Sequence, residues 1–382
     1  MAGTLAHFYV MREYLKNHDK NSIDIDGDYT FEKKLLKIRK AGAEQMIVEL
    51  SEENNDYLNE YRKGLLENTK QQLKVINAKL DSLSKKDKYA SAFLGATGPD
   101  IFYMPTVASQ IGEHVSWFNN YRSLSDYMHY KNGGLFIKNL YEIRDTMPTS
   151  ELKNHIEYLC KGFLSHMATD LVYHPFVNSL VGKYQEHLIL KVDVPGPSFI
   201  VNGSFAAHNL VEQAQDYYIL TELWKGTGLD KGHNMILTHR IEGYIPDLAK
   251  VLSTAIDKTY DVKSESSSIE NYLEYFLADS SGSTFEEYPD TILDDKFNYN
   301  PAIEHISGGK SIKKFLDRSV ELTKLMIDMM IPKNLDNLDN LESNWEDILK
   351  TWNLDTGLYT EAKVKDNEIK INFKNYESVW GV

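Results

Sequence analysis

The sequence has a single cysteine, Cys160, in 382 residues. No intramolecular disulfide can form, and nothing points to an oxidising compartment. It also lacks a basic excess: 42 lysines and arginines face 56 aspartates and glutamates, for a formal net charge of -14. That balance disfavours broad electrostatic binding to nucleic acid or to anionic lipid surfaces. A local positive site remains open to it, because a bound metal reverses the field within a pocket. Long apolar runs are missing too. LMIDMMI, near residue 325, is too short to cross a bilayer and contains Asp328. The opening stretch, MAGTLAHFYVMREYLKN, has no basic region followed by an apolar core, so it reads as a mature helix. A cytoplasmic enzyme or binding protein without a transmembrane segment is the expectation. No internal repeat and no clear interdomain linker is visible.

What is present fits a globular protein: 42% hydrophobic and 26% charged residues, which excludes a disordered chain. The patterning is helical. Leu5, Phe8, Met11 and Leu15 recur at helical spacing, and residues 30–48 and 53–85 are rich in Lys, Glu, Leu and Ala with the same period. Gly95, Gly98, Pro99 and Pro105 then mark a helix end and a tight loop. Short helices are expected over 107–147, broken at Gly133–Gly134. A stronger one is expected over 149–172, with Ile156, Leu159, Cys160, Phe163 and Leu164 on its apolar face and Pro175 kinking or ending it. Residues 187–203 carry two β-branched runs around VPGPS and read as a hairpin insert. Helices follow at 239–257, 268–278, 310–331 and 339–352, and the tail from Glu361 to Trp380 alternates like a strand or hairpin. The expected fold class is all-α, a multi-helix domain with a small β-hairpin insert and a short C-terminal β tail. Residues 1–260 would form the helical domain, and 261–382 a helical extension packed on it.

The sharpest chemical signal is FLSHMATDLVYHPFVN. His166, Asp170 and His174 stand at i, i+4 and i+8, and at about 100° per residue they fan over about 80° of one helix face. Imidazole nitrogen and carboxylate oxygen suit zinc, and a carboxylate can bridge two ions. Either histidine alone reads more plainly as a surface or core histidine. His208 and Glu212 repeat the i, i+4 pairing in AAHNLVEQAQD, a pattern that by itself is often a surface hydrogen bond. Asp100 follows Gly98 and Pro99, where turn chemistry is the ordinary reading. His114, in GEHVSW, lies fourteen residues further on. His7 stands beside Phe8 and, from spacing alone, is a helix-face histidine.

These pieces together, GTLAHFYV, FLGATGPDIFY, YLCKGFLSHMATDLVYHPFVN and HNLVEQAQDYYI, in this order, resemble the zinc-dependent phospholipase C family, in particular its bacterial branch without a signal peptide. NLDTGLYTEA resembles the end of that branch. The resemblance implies an all-helical domain, related in architecture to the helical zinc nucleases, that holds two or three zinc ions. Carried over by position, one ion would take Asp100, His114, His166 and Asp170. A second would take His174, His208 and Glu212, and a third His7 with the other side of Asp170. Asp100 would also orient or deprotonate the attacking water. Zinc would bind the phosphoryl oxygens and lower the pKa of a water toward about 7. The implied substrate is a phospholipid or small phosphoester, and the acidic chain speaks against a nucleic-acid partner.

The sequence departs from the family in four ways. No tryptophan leads the chain, whereas in the secreted members a leading tryptophan helps bind the third ion. Asp170 and His174 are closer together than in the secreted enzymes. His174 and His208 are further apart, which the 187–203 insert would explain and which makes His187 a rival to His208. His208 is preferred because Glu212 shares its face, whereas His187 has Lys191 in that place. The β-sandwich with which the secreted toxins bind membranes is not evident. A zinc nuclease or nucleotidase, and a metal-binding homologue without catalysis, are the alternative readings.

Overall fold

A computed structural model describes residues 4–19, 30–52, 59–102, 124–125, 128–129, 132–191, 212, 215–216, 218–225, 241, 243–282, 312–331, 352–353 and 358–359. Eight α-helices run in chain order among them: α1 (Thr4–His18), α2 (Thr30–Glu52), α3 (Asn59–Thr97), α4 (Gly133–Thr146), α5 (Ser150–Lys191), α6 (Ile245–Tyr260), α7 (Ser266–Gly282) and α8 (Ile312–Met330). A 3-10 turn, Gly98–Phe102, follows α3 directly. The only strand pairing among the described residues is a two-residue ladder, β1 (Trp352–Asn353) antiparallel to β2 (Leu358–Tyr359). The fold is all-α, as the periodicity implies. No helix among the described residues is long and apolar enough to cross a membrane.

α5 is the central element. Ile156, Leu159, Phe163, Leu164, Ala168 and Leu171 are buried, and from Gly162 to His174 every residue is buried, the pattern of a helix surrounded by others. It packs against α3, α8, α4 and α1. The α3–α5 crossing is the closest. A Cβ built on Gly95 would stand 2.2 Å from the Leu159 carbonyl oxygen, and one on Gly162 2.1 Å from that of Ala92. The two backbones therefore touch, which only glycine permits at both positions. This contact lays the end of α3, and the turn after it, across the middle of α5.

α2 packs on the first half of α3. The less exposed positions of α2 include 36, 40, 43, 47 and 50, and those of α3 include 62, 66, 69, 73, 76, 80 and 83. Steps of four and three residues make this the seam of a two-stranded antiparallel coiled coil. The remaining faces of this hairpin are turned to solvent.

Two expectations are corrected. α5 does not end at Pro175 but runs on to Lys191. A proline inside a helix costs about 3 kcal/mol, and the deep burial of the preceding turns offsets that cost. Residues 187–191, expected to open a hairpin, form the last turn of α5, since a short apolar run such as HLIL fits helix or strand equally. Of the helix expected at 339–352 only Trp352 is described, and it lies in β1 instead; the rest of that helix, the rest of the insert and the C-terminal tail from 361 lie outside the described residues.

One buried histidine of the scaffold sets a pH dependence. The His155 Nδ1 meets the Ser91 hydroxyl at 2.8 Å, and its ring lies 3.9 Å from that of Tyr244. Burial first, and the nearby Lys33 second, push its pKa down from 6.5 to about 4. The unfolded chain therefore binds a proton between those values that the folded protein refuses, so stability is complete above pH 6.5 and falls as pH drops toward 4. Urea unfolding of metal-free protein should show the wild type losing roughly 2 kcal/mol more than His155→Phe between neutral pH and about pH 4.5. Equal losses would mean that His155 titrates normally.

Candidate metal centre

Five parts of the chain converge beside the α3–α5 crossing. α5 contributes His166, Asp170 and His174, one turn apart on its buried face. α1 contributes His7 and the 3-10 turn contributes Asp100; His129 and Glu212 complete the set, and all seven are buried. Gly98 makes the approach of the turn possible. Its φ is +54°, and a Cβ there would lie 2.6 Å from the His166 ring.

Asp170 is the hub. Its Oδ1 lies 3.3 Å from His7 Nε2 and 3.4 Å from His174 Nε2. Its Oδ2 lies 3.0 Å from His166 Nε2 and 3.6 Å from His129 Nε2. Asp100 Oδ1 is 3.3 Å from His129 Nε2, and Asp100 Oδ2 is 4.0 Å from His7 Nε2. On the other side, His174 Nε2 lies 3.6 Å from Glu212 Oε1. The His7 and His166 rings stack at 4.2 Å.

The ring orientations decide what this can do. His166 Nδ1 donates to the Ala96 carbonyl at 3.0 Å, and His129 Nδ1 to the Ser125 carbonyl at 2.8 Å. A carbonyl only accepts, so each Nδ1 carries the proton and a neutral ring turns the Nε2 lone pair inward. Those lone pairs face each other at 3.4 Å, and they face carboxylate oxygens. Among the described residues, no donor reaches either Asp170 oxygen in hydrogen-bond geometry. A cation between these facing acceptors, a proton or a metal ion, satisfies them, and the cluster could hold a metal ion. Burial raises Asp170, but the histidines at positions 166, 174 and 7 outweigh it and hold the carboxyl well below its ordinary value. Asp100 is likewise held low, by His129 and His166 against burial, and burial keeps the His7 pKa down. Neutral imidazoles with ionised carboxylates are the protonation states a metal ion needs. Two overlapping groups, His7–His166–Asp170 and Asp100–His129–His166, each offer three ligand atoms within 4.8 Å of one another. Their nitrogen and oxygen donors suit zinc.

Of the residues singled out in the sequence, the structure brings together His7, Asp100, His166, Asp170, His174 and Glu212. His114 and His208 lie outside the described residues, and His187 is described only as part of the α5 backbone. His129 is a member of the cluster that sequence reasoning misses. It sits in SDYMHY, with no family pattern and no carboxylate four residues away on either side to mark it, and its partners are far away in the chain. Asp216, one turn after Glu212, is missed as well. Its Oδ1 accepts the backbone N–H of Ala6 at 3.3 Å. That ties down the first turn of α1, where donors are otherwise unsatisfied, and so fixes the helix that carries His7.

Residues 65–277, more than half of the chain, match the family model described as zinc dependent phospholipase C. The matched segment holds Asp100, His129, His166, Asp170, His174 and Glu212, and begins after His7. No curated protein and no solved structure matches the chain.

Proposed function

We propose, since this chain belongs to the zinc-dependent phospholipase C family, that it is a zinc-dependent phosphodiesterase hydrolysing a phospholipid or related phosphoester at the cluster around Asp170. The observation that carries the reading is Asp170 itself, a buried carboxylate ringed by four imidazole nitrogens within 3.6 Å, with no hydrogen-bond donor on either oxygen among the described residues. One ion would be held by Asp100, His166 and Asp170, with His129 as the fourth ligand and His114 its rival. His174 and Glu212 would hold a second with His208, and His7 a third with Asp170. Bound zinc supplies Lewis acidity toward the phosphoryl oxygens and acidifies water.

The chain's own residues supply the rest. The 3-10 turn fixes Asp100 at the edge of the cluster, and the neighbouring imidazoles keep its carboxyl ionised. Asp100 can therefore accept a proton from the attacking water. His129 and His166 are held in one tautomer by the Ser125 and Ala96 carbonyls, so they keep their Nε2 lone pairs pointed inward. Burial of all seven groups excludes bulk water and strengthens each electrostatic contact. The leaving group is an alcohol, diacylglycerol for a phospholipid.

Asp100→Asn tests the assignment. The amide oxygen can still bind a metal but takes up no proton. Hydrolysis of phosphatidylcholine and of bis(p-nitrophenyl) phosphate should fall by at least about 100-fold, with most of the zinc kept by mass spectrometry. Full activity in a zinc-loaded variant would rule out Asp100 as the base. Single-stranded DNA as the preferred substrate would favour the nuclease reading instead.

A further inference from the structure

The beginning of α2 and the stretch of α3 beside it carry a composition that the catalytic cluster does not use. Residues 33–40 read KKLLKIRK and residues 74–79 read KVINAK, with seven lysines and arginines and no carboxylate, in a chain whose net charge is -14. The two segments lie side by side, since Lys79 pairs with Glu32 across the hairpin. Lys33 reaches Asp87, and Lys40 lies 3.7 Å from Glu44. Lys34, Lys37, Arg39 and Lys74 stand exposed on the surface. Among them, Leu35 is 45% exposed, Ile38 64% and Val75 61%. The seam side of both helices is already filled by the partner helix, and Ile38 and Val75 are not part of it.

Exposed aliphatic side chains set among cations on a helical surface suit one kind of partner, a membrane interface rich in anionic lipid. The aliphatic groups enter the boundary of the acyl chains, the lysine and arginine stems lie along it, and their charged ends reach the headgroup phosphates. A second copy of this chain would bring the exposed Lys34, Lys37, Arg39 and Lys74 against themselves, which charge repulsion disfavours.

We propose that this patch of the α2–α3 hairpin docks the protein on anionic phospholipid bilayers. The proposal rests on the reading above of a phospholipid substrate, because a bilayer is where that substrate is found. α3 is continuous from the patch to the catalytic turn, and Val75 and Thr97 are separated by about 33 Å at 1.5 Å per residue. The hairpin therefore acts as an arm that meets the membrane apart from the reacting groups. Binding by it draws on both apolar insertion and charge, so it weakens with salt.

The experiment is cosedimentation of the full chain with vesicles of phosphatidylcholine, with and without phosphatidylglycerol, at low and high salt. The variants are Ile38→Ser/Val75→Ser and Lys34→Gln/Lys37→Gln/Arg39→Gln. All these positions are exposed, so circular dichroism, zinc content and hydrolysis of bis(p-nitrophenyl) phosphate should be unchanged. The wild type should bind the phosphatidylglycerol vesicles preferentially, and each variant should bind at least about tenfold more weakly. Wild-type protein that ignores the anionic vesicles, or variants that bind as the wild type does, would overturn the proposal. So would variants whose altered property is a lost dimer or lost DNA binding. Vesicle binding that needs the patch, in a protein that hydrolyses only soluble esters, would uphold the docking surface and sink the phospholipid reading of the catalytic site.

Discussion

Asp170→Asn is expected to empty the cluster of zinc and to abolish phosphodiester hydrolysis. The wild-type carboxylate presents two acceptor oxygens, Oδ1 toward His7 and His174 and Oδ2 toward His166 and His129. An amide keeps the shape but offers one oxygen, and puts an NH₂ where the other acceptor stood. One acceptor position is lost, along with one negative charge. Zinc content should fall to a small fraction of the wild-type value, and turnover by about a thousandfold or more. The metal-free proteins separate the carboxylate's charge from its role as a ligand. Without metal, the variant should be no more stable than the wild type, because the histidines that hold the Asp170 carboxyl low lose their anionic partner. With zinc, the wild type should gain stability and the variant little. A variant that keeps its zinc would show that Asp170 is not the bridging ligand.

The second large effect lies in the scaffold. Gly162→Ala should destabilise the protein by about 3 kcal/mol or more. The new methyl would stand 2.1 Å from the Ala92 carbonyl oxygen and 2.7 Å from the Ala96 nitrogen. Both are backbone atoms, so no side-chain rotation relieves the clash, and the helices have to separate. Since α3 carries the Asp100 turn and α5 carries His166 and Asp170, zinc affinity should fall with stability. Gly42→Ala and Gly64→Ala are the matched controls. Both are helical positions with nothing within 4 Å of the added Cβ. There alanine should stabilise by about 0.5–1 kcal/mol through its better helix propensity. The same chemical change thus takes opposite signs at positions 162 and 42 or 64, and chemical denaturation of the three variants measures it. A Gly162→Ala protein as stable as the wild type would refute the close crossing.

Much of this centre can be read in the chain because its densest part is local. His166, Asp170 and His174 are spaced by one helical turn, so the helix period alone places them on one face. Asp100 stands out because the glycine and proline before it announce a fixed turn. His129 cannot be found that way. Its contacts are with Asp100, His166 and Asp170, which only the tertiary packing brings near, and its own stretch of chain supplies the Ser125 carbonyl, which no pattern of side chains advertises. His7 is recognisable through family resemblance and not through spacing. The course of α5 beyond Pro175 escapes a reading of the sequence because local residues report the cost of the proline but not the burial that offsets it. The narrow seam of α2 and α3 is legible as helical periodicity, whereas the pairing of the two helices is not.

The contact between Ala6 and Asp216 has a consequence for how the centre is made. The two residues are 210 positions apart. His7 is made well before Asp216, and the first turn of α1 is not tied down until the chain has grown past Asp216 and that residue has folded back onto Ala6. A join over such a span is slow to close, since the loop it completes is long. A histidine made early is thus fixed late, and if the centre holds zinc, its complete loading would belong to the end of folding, after the helices of the core have assembled.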